Sequence, residues 1–136
     1  MTHLRINDAA GLLGVSDDTL RRWIDQGRLG STTDDAGRLV VAGAQLAQLA
    51  QDIAADHPMD QFDAGVGARS SRNHLTGLVT RVISDAVMSQ VELQCGRYRI
   101  VSLISTEAVE ELGLTVGSVA TAVIKATNVS IEGHRS

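Results

Sequence analysis

Two short stretches of this 136-residue chain gather the residue types that hold anions. The first, Ser70-Ser71-Arg72-Asn73-His74-Leu75-Thr76-Gly77-Leu78-Val79, puts three hydroxyls, a guanidinium and a glycine at the opening of a strand-like run. The second, Lys125-Ala126-Thr127-Asn128-Val129, adds an ammonium and another hydroxyl far downstream. Proteins hold tetrahedral dianions with backbone N–H groups, hydroxyls and a few cations, because charge-assisted hydrogen bonds are short and strong. Taken singly, a lysine at a strand end is ordinary scaffolding, and a Ser-Ser-Arg-Asn string is an ordinary polar loop. Their joint occurrence is what raises them.

Together, SSRNxxxGxV and KATNV resemble the Mop (molbindin, TOBE-like) family of small oxyanion-binding β-barrels, whose opening motif is usually S-A-R-N. Ser71 stands where the family has alanine, a small-for-small change. The resemblance covers nearly all of residues 69–132 and implies that Ser70, Arg72, Lys125 and Thr127 line a site for molybdate or tungstate. In the family the arginine contributes largely through its backbone, and Ala126 can do the same. Ser102 and Ser105 fall where relatives supply further hydroxyls from an adjacent subunit. The family also implies a homo-oligomer, a dimer at least and a hexamer for single-barrel versions.

The elements that must position these residues are legible from Asn73 onward. Leu75 to Ile83 is rich in β-branched residues, with Ser84-Asp85-Ala86 as a hairpin turn. Val87, Ser89, Val91 and Leu93 alternate with Met88, Gln90, Glu92 and Gln94, the period of a half-buried strand. Tyr98 to Ser105 predicts a third strand. Ser105 or Thr106 then caps a short helix, Glu107 to Leu112, closed by Gly113. Val119 to Lys125 and Asn128 to Ile131 complete a count of five strands and one short helix, the OB-like barrel plan.

A second device precedes this one. Asn7 is placed to cap a first helix with apolar Ala9, Ala10, Leu12 and Leu13. After Gly14-Val15, Ser16 caps a second helix that buries Leu20, Trp23 and Ile24 and ends at Gly27. Helix, short turn, helix is helix-turn-helix geometry. The run from Asn7 to Ser16, with Thr19-Leu20-Arg21-Arg22-Trp23 and Gly27-Arg28-Leu29, is similar to the MerR/excisionase-type winged helix-turn-helix. That resemblance implies double-stranded DNA as a partner, with Ser16, Thr19, Arg21, Arg22 and Arg28 at the interface. The wing spans Gly30 to Val41, turning at Asp34-Asp35-Ala36-Gly37. Relatives often carry arginines and histidines there, where this chain has Ser31, Thr32, Thr33, Asp34 and Asp35. Leu46, Leu49 and Ile53 predict a third helix within residues 42–56.

The expected fold is therefore α+β in two domains. Residues 1–56 form a mostly α winged helix-turn-helix, 57–69 a linker holding the single proline Pro58, and 70–136 a five-stranded OB-like β-barrel. Composition narrows the function further. Hydrophobic content of 43% against 21% charged is that of a water-soluble globular chain, with no apolar run of membrane length. The N-terminus lacks signal-peptide character, and the single Cys95 excludes an internal disulfide, so a cytoplasmic setting is expected. No Cys/His spacing suits zinc, and no nucleophile elbow, phosphate loop or catalytic carboxylate pair stands out, so an enzyme is not expected. Residues 1–56 carry five arginines against eight aspartates, a weak basic footprint for a nucleic-acid domain. A single copy is accordingly expected to bind DNA weakly, with useful affinity from linked copies. Two functions are consistent with these features. One is a molybdate-responsive DNA-binding regulator; the other is an oxyanion storage or homeostasis protein whose helical domain serves assembly.

Overall fold

The apolar period and the Ser16 cap build the helices of the first unit where the sequence predicts them, with one added strand and a different start to the first helix. The computed structural model describes residues 2–56 and 72–134, which fall into two compact units. In the first, α1 (Ile6–Leu13) and α2 (Asp17–Asp25) are followed by β2 (Thr32–Thr33), β3 (Leu39–Ala42) and α3 (Gly43–Ala55). Gly14 ends α1 at φ 72°, a left-handed conformation that costs other residues more. Ser16 caps α2 by accepting from the Thr19 N–H at 3.1 Å. Leu20, fully buried, packs with Ile6, Ala9, Ala10, Leu29, Val41, Leu46 and Leu49, and Trp23, Ile24 and Ile53 lie against them.

Two details of this unit differ from expectation. The cap position of α1 is Arg5, with no side-chain cap, rather than Asn7. Consequently the buried stripe runs through Ile6, Ala9 and Ala10, and Leu12 is left 61% exposed. The helix begins earlier because an unpredicted strand, β1 (His3–Arg5), feeds directly into it. That strand exists through tertiary pairing, Leu4 opposite Val41 in a β1-β3-β2 sheet. Three residues carry no readable alternation of their own.

The second unit is a single antiparallel sheet in the order β6-β5-β4-β7. It is made of β4 (Arg72–Ser84), β5 (Met88–Cys95), β6 (Tyr98–Ser105) and β7 (Val119–Lys125), with α4 (Thr106–Leu112) between the last two. Ser105 caps α4 and Gly113 closes it at φ 64°. Val79, Val91, Leu93, Cys95 and Val109 form its core. The fifth strand expected over Asn128 to Ile131 is not present. Ala126–Asn128 turns as a 3-10 helix, and the residues after it run without a neighbouring strand, Ile131 at 87% exposure. A strand needs a partner for its backbone hydrogen bonds, and these residues have no strand partner among the described residues. The result is a curled four-stranded sheet, a half-barrel, in place of the five-stranded barrel.

The curl rests on Gly77. A Cβ there would overlap the Gln94 carbonyl oxygen and sit 2.9 Å from Cys95 Sγ. The motif glycine thus marks where β4 passes tightly over the end of β5. Three residues on, the register shifts between Val79 and Arg81, a bulge that adds twist. Gly77→Ala should lower unfolding stability by about 2 kcal/mol or more, the cost of forcing volume into close-packed backbone. Denaturant titration of the two proteins, comparing midpoints at equal slope, measures it.

Candidate anion site and nucleic-acid interface

Strand pairing brings the two polar motifs to one place. β4 and β7 pair from Arg72 opposite Lys125 to Leu78 opposite Val119. Because side chains alternate along a strand, Arg72, His74 and Thr76 share one face with Lys125, Val123 and Thr121. Thr76 and Thr121 confirm that face by a 2.8 Å hydroxyl contact. Asn73, on the opposite face, donates its side-chain amide to the Ile124 carbonyl at 3.2 Å and locks the register at the motif itself. Ala126 and Thr127 follow Lys125 directly in the 3-10 turn.

Arg72 and Lys125 are exposed, and neither has an ion-pair partner among the described residues. Like charges placed directly opposite on a ladder repel, and an anion between the two side chains would relieve that repulsion. Elsewhere in this sheet cations are neutralised. Glu92, only 4% exposed, lies between Arg99 and Arg81, the latter at 3.8 Å. The alternation along β5 pointed Glu92 outward. It does face outward, but its two arginine partners cover it.

The remaining candidates are placed as follows. Ser70 lies outside the described residues. Ser102 faces the inner side of the sheet, opposite Val91, in an apolar groove of about 550 Å³ between β6 and β7. Ser105 is occupied as the α4 cap, accepting from the Ala108 N–H at 3.1 Å. Both serines belong to β6, at the far edge of the sheet from Lys125. His74 joins the face of Arg72 and Lys125, with a buried Nε2 that has no hydrogen-bond partner among the described residues. Only the parity of β4 relative to Arg72 signals this, and parity is meaningful once the register is known.

In the first unit, Arg21 and Arg22 are exposed on α2. Ser16 and Thr19 are engaged with each other, the Ser16 hydroxyl donating to Thr19 Oγ1 at 3.0 Å. Arg28 lies over the Trp23 ring at 5.0 Å, which holds its guanidinium at the end of the helix. The hairpin expected at Gly30 to Val41 forms, with Thr32 opposite Val40 and Thr33 opposite Leu39. Asp34 closes it, accepting from the N–H groups of Ala36 and Arg38 at 3.0 and 2.9 Å and from Arg38 Nε at 3.1 Å.

The fold defines a two-part protein, a helix-turn-helix unit followed by a small antiparallel β-domain with Arg72 and Lys125 at one sheet end. Comparison with known proteins agrees. Residues 69–131 match the TOBE domain family, and residues 4–52 match a helix-turn-helix domain family. Molybdenum-pterin-binding protein 1 of Clostridium pasteurianum is 43% identical over 63 residues, 46% of this chain and 93% of that protein. Molybdenum-pterin-binding protein 3 of the same organism is 41% identical over the same shares. Among solved structures, MopII from Clostridium pasteurianum is 41% identical, covering 48% of this chain and 98% of that one, at a TM-score of 0.45. A molybdate-binding protein from Sporomusa ovata is 28% identical, covering 48% and 97%, at a TM-score of 0.46. The chain belongs to this Mop-like TOBE family and carries a helix-turn-helix domain in front of the TOBE domain.

The hairpin turn makes a pH prediction. The Arg38 backbone N–H, with help from its guanidinium and the Ala36 N–H, holds the Asp34 carboxyl below the ordinary aspartate range. A depressed pKa stabilises the fold above the unfolded value, and that stabilisation is lost as pH falls through the folded one. Asp34→Ala should therefore open the hairpin at neutral pH, while in strong acid the two proteins converge. Amide exchange at Arg38 across pH reads this directly.

Proposed function

We propose that this protein binds molybdate or tungstate in its TOBE domain and contacts double-stranded DNA through its helix-turn-helix domain, as an oxyanion-responsive regulator. The observation that carries the anion half is the register of Arg72 against Lys125, with Ala126 and Thr127 at the same sheet end. Ser70 immediately precedes that end in the sequence and joins the site in this reading. Lys125 supplies a compact, mobile charge; Arg72 contributes backbone as well as guanidinium. Ser102 and Ser105 would serve from a neighbouring copy. A binding role rather than an enzymatic one is supported by the relatives, which are named for what they bind. No described helix is long and apolar enough to cross a membrane, and a cytoplasmic setting is part of the proposal. So are the domain limits 1–56, 57–69 and 70–136.

Open sheet edges support assembly. Among the described residues β6 and β7 each pair on one side only, and Leu103 of β6 (69%) and Ile131 of the segment after β7 (87%) are exposed. Unpaired edges with apolar flanks favour association with further copies. The reading is a homo-oligomer, a dimer at least and a hexamer by family analogy. Storage or homeostasis is the second reading, favoured by the acidic balance of residues 1–56. In that case the helical domain would serve assembly.

Calorimetric titration of molybdate, tungstate and sulfate tests the anion site. Lys125→Ala should cost roughly 1.5–3 kcal/mol, about tenfold to a hundredfold in affinity. Equal weak binding of all three anions, or an unaffected variant, removes the site. Light scattering should give a multiple of the chain mass at micromolar concentration, and a monomer would refute the assembly. DNA retention by the intact protein at low salt, weakening as salt rises, separates regulator from storage protein.

A further inference from the structure

A cleft of about 300 Å³ opens in the first unit where β1 ends, α2 begins and β3 starts. Arg5, Arg21 and Arg38 line it, with Asn7 and Asp17 beside them and Leu39 among the walls. Three of the five arginines of residues 1–56 thus meet at one point of a unit that is acidic as a whole. Arg5 leaves the last position of β1, whose backbone is fixed opposite Val40. Neither Arg5 nor Arg21 has a hydrogen-bond or ion-pair partner among the described residues. Arg38 engages Asp34 through Nε, which leaves the terminal nitrogens of its fork for another acceptor. Asp17 lines the cleft and Asp34 pairs with Arg38, so two carboxylates face three guanidiniums and Arg5 and Arg21 are the under-compensated ones there.

We propose that this cleft seats a backbone phosphate of duplex DNA, with Arg5, Arg21 and Arg38 as its contacts. The proposal rests on the DNA reading above and deepens it. A guanidinium fork matches two phosphate oxygens at once, and several forks around one open cleft suit a phosphodiester passing through it. The position fits as well. In helix-turn-helix docking the second helix enters the major groove while flanking elements touch the backbone. Asp17 and Arg21 occupy one flank of α2, toward β3, whereas Arg22 lies one position round toward the outermost face. The grouping of Arg21 with Arg22 as base readers therefore divides. Arg21 belongs to the backbone and Arg22 to the groove. Concentrating cations this way gives an acidic unit a local phosphate seat despite its net charge.

Fluorescence anisotropy of the full-length protein on a panel of duplexes of different sequence, across salt, tests this. Arg5→Gln should weaken binding to every duplex alike and reduce the slope of log affinity against log salt by about 0.9, the loss of one phosphate contact. Arg5→Lys, which keeps the charge, should retain most of the slope. Arg21→Gln should repeat the Arg5→Gln result without reordering the panel, and it serves if Arg5→Gln fails to fold. An unchanged slope in both Gln variants overturns the seat, and a reordered panel with Arg21→Gln overturns its assignment to the backbone. Tight binding of inorganic phosphate by wild type, lost in Arg5→Gln, would identify a free-anion site instead. Wild type that retains no duplex at low salt overturns the DNA reading and this proposal together; the Gln variants decide the seat alone once wild type binds.

Discussion

The register of β4 on β7 is the constraint on which the rest of the second unit depends. Side chains in a strand alternate with a period of two, so a slip of one residue would send Arg72 to the opposite face from Lys125. Asn73 opposes that slip by bonding the Ile124 carbonyl, and the Thr76–Thr121 pair repeats the lock further along. Gly77 then lets β4 cross the end of β5 at a distance no other residue permits. The glycine lets β4 pass closely over β5, and Arg72 and Lys125 lie at the end of the same β4–β7 ladder.

Charge is sorted across the outer face of that sheet. Glu92 is buried on the central strand β5 and takes Arg81 and Arg99. Removing either arginine would leave the buried Glu92 carboxylate less compensated, so those arginines are committed to structure. Arg97 is likewise occupied, stacked on Tyr98 and bonded to its hydroxyl. Among the described residues, Arg72 and Lys125 at the motif end have no ion-pair partner. The uncharged apolar surface is sorted too, collecting along the unpaired edges of β6 and β7 and in the groove between them.

The first unit meets a different problem, a small core with an acidic surface. Its core joins helices and sheet in one cluster, since Val41 of β3 packs with Ile6, Leu20 and Leu46. Pairing of β1 with β3 ties the start of the chain to that cluster, and the same pairing fixes Arg5 beside Arg21 and Arg38. Asp34 acts at the other end of the hairpin, where one carboxylate satisfies two backbone N–H groups and orients the Arg38 side chain. A residue that reads as part of an unfavourable acidic wing is thus the element that shapes the hairpin.

Local signals in the sequence settled much of this. Ser16 as a cap, a second cap at Ser105 or Thr106, Gly27 and Gly113 as helix ends, the Leu46, Leu49 and Ile53 stripe, and the approximate spans of β4 to β7 all follow from residues within a few positions of one another. Caps and periods are encoded at that range, because they depend on one turn of helix or one pleat of strand. The SSRN and KATNV motifs were visible too, but their meeting was decided only by the tertiary structure. So were the burial of Glu92, the placement of His74, the strand β1, the cleft of three arginines and the loss of the fifth strand at Asn128 to Ile131. Each of these depends on which distant backbone supplies a hydrogen-bond partner. A strand exists only where such a partner lies, and a side chain's neighbours are fixed only when the register is.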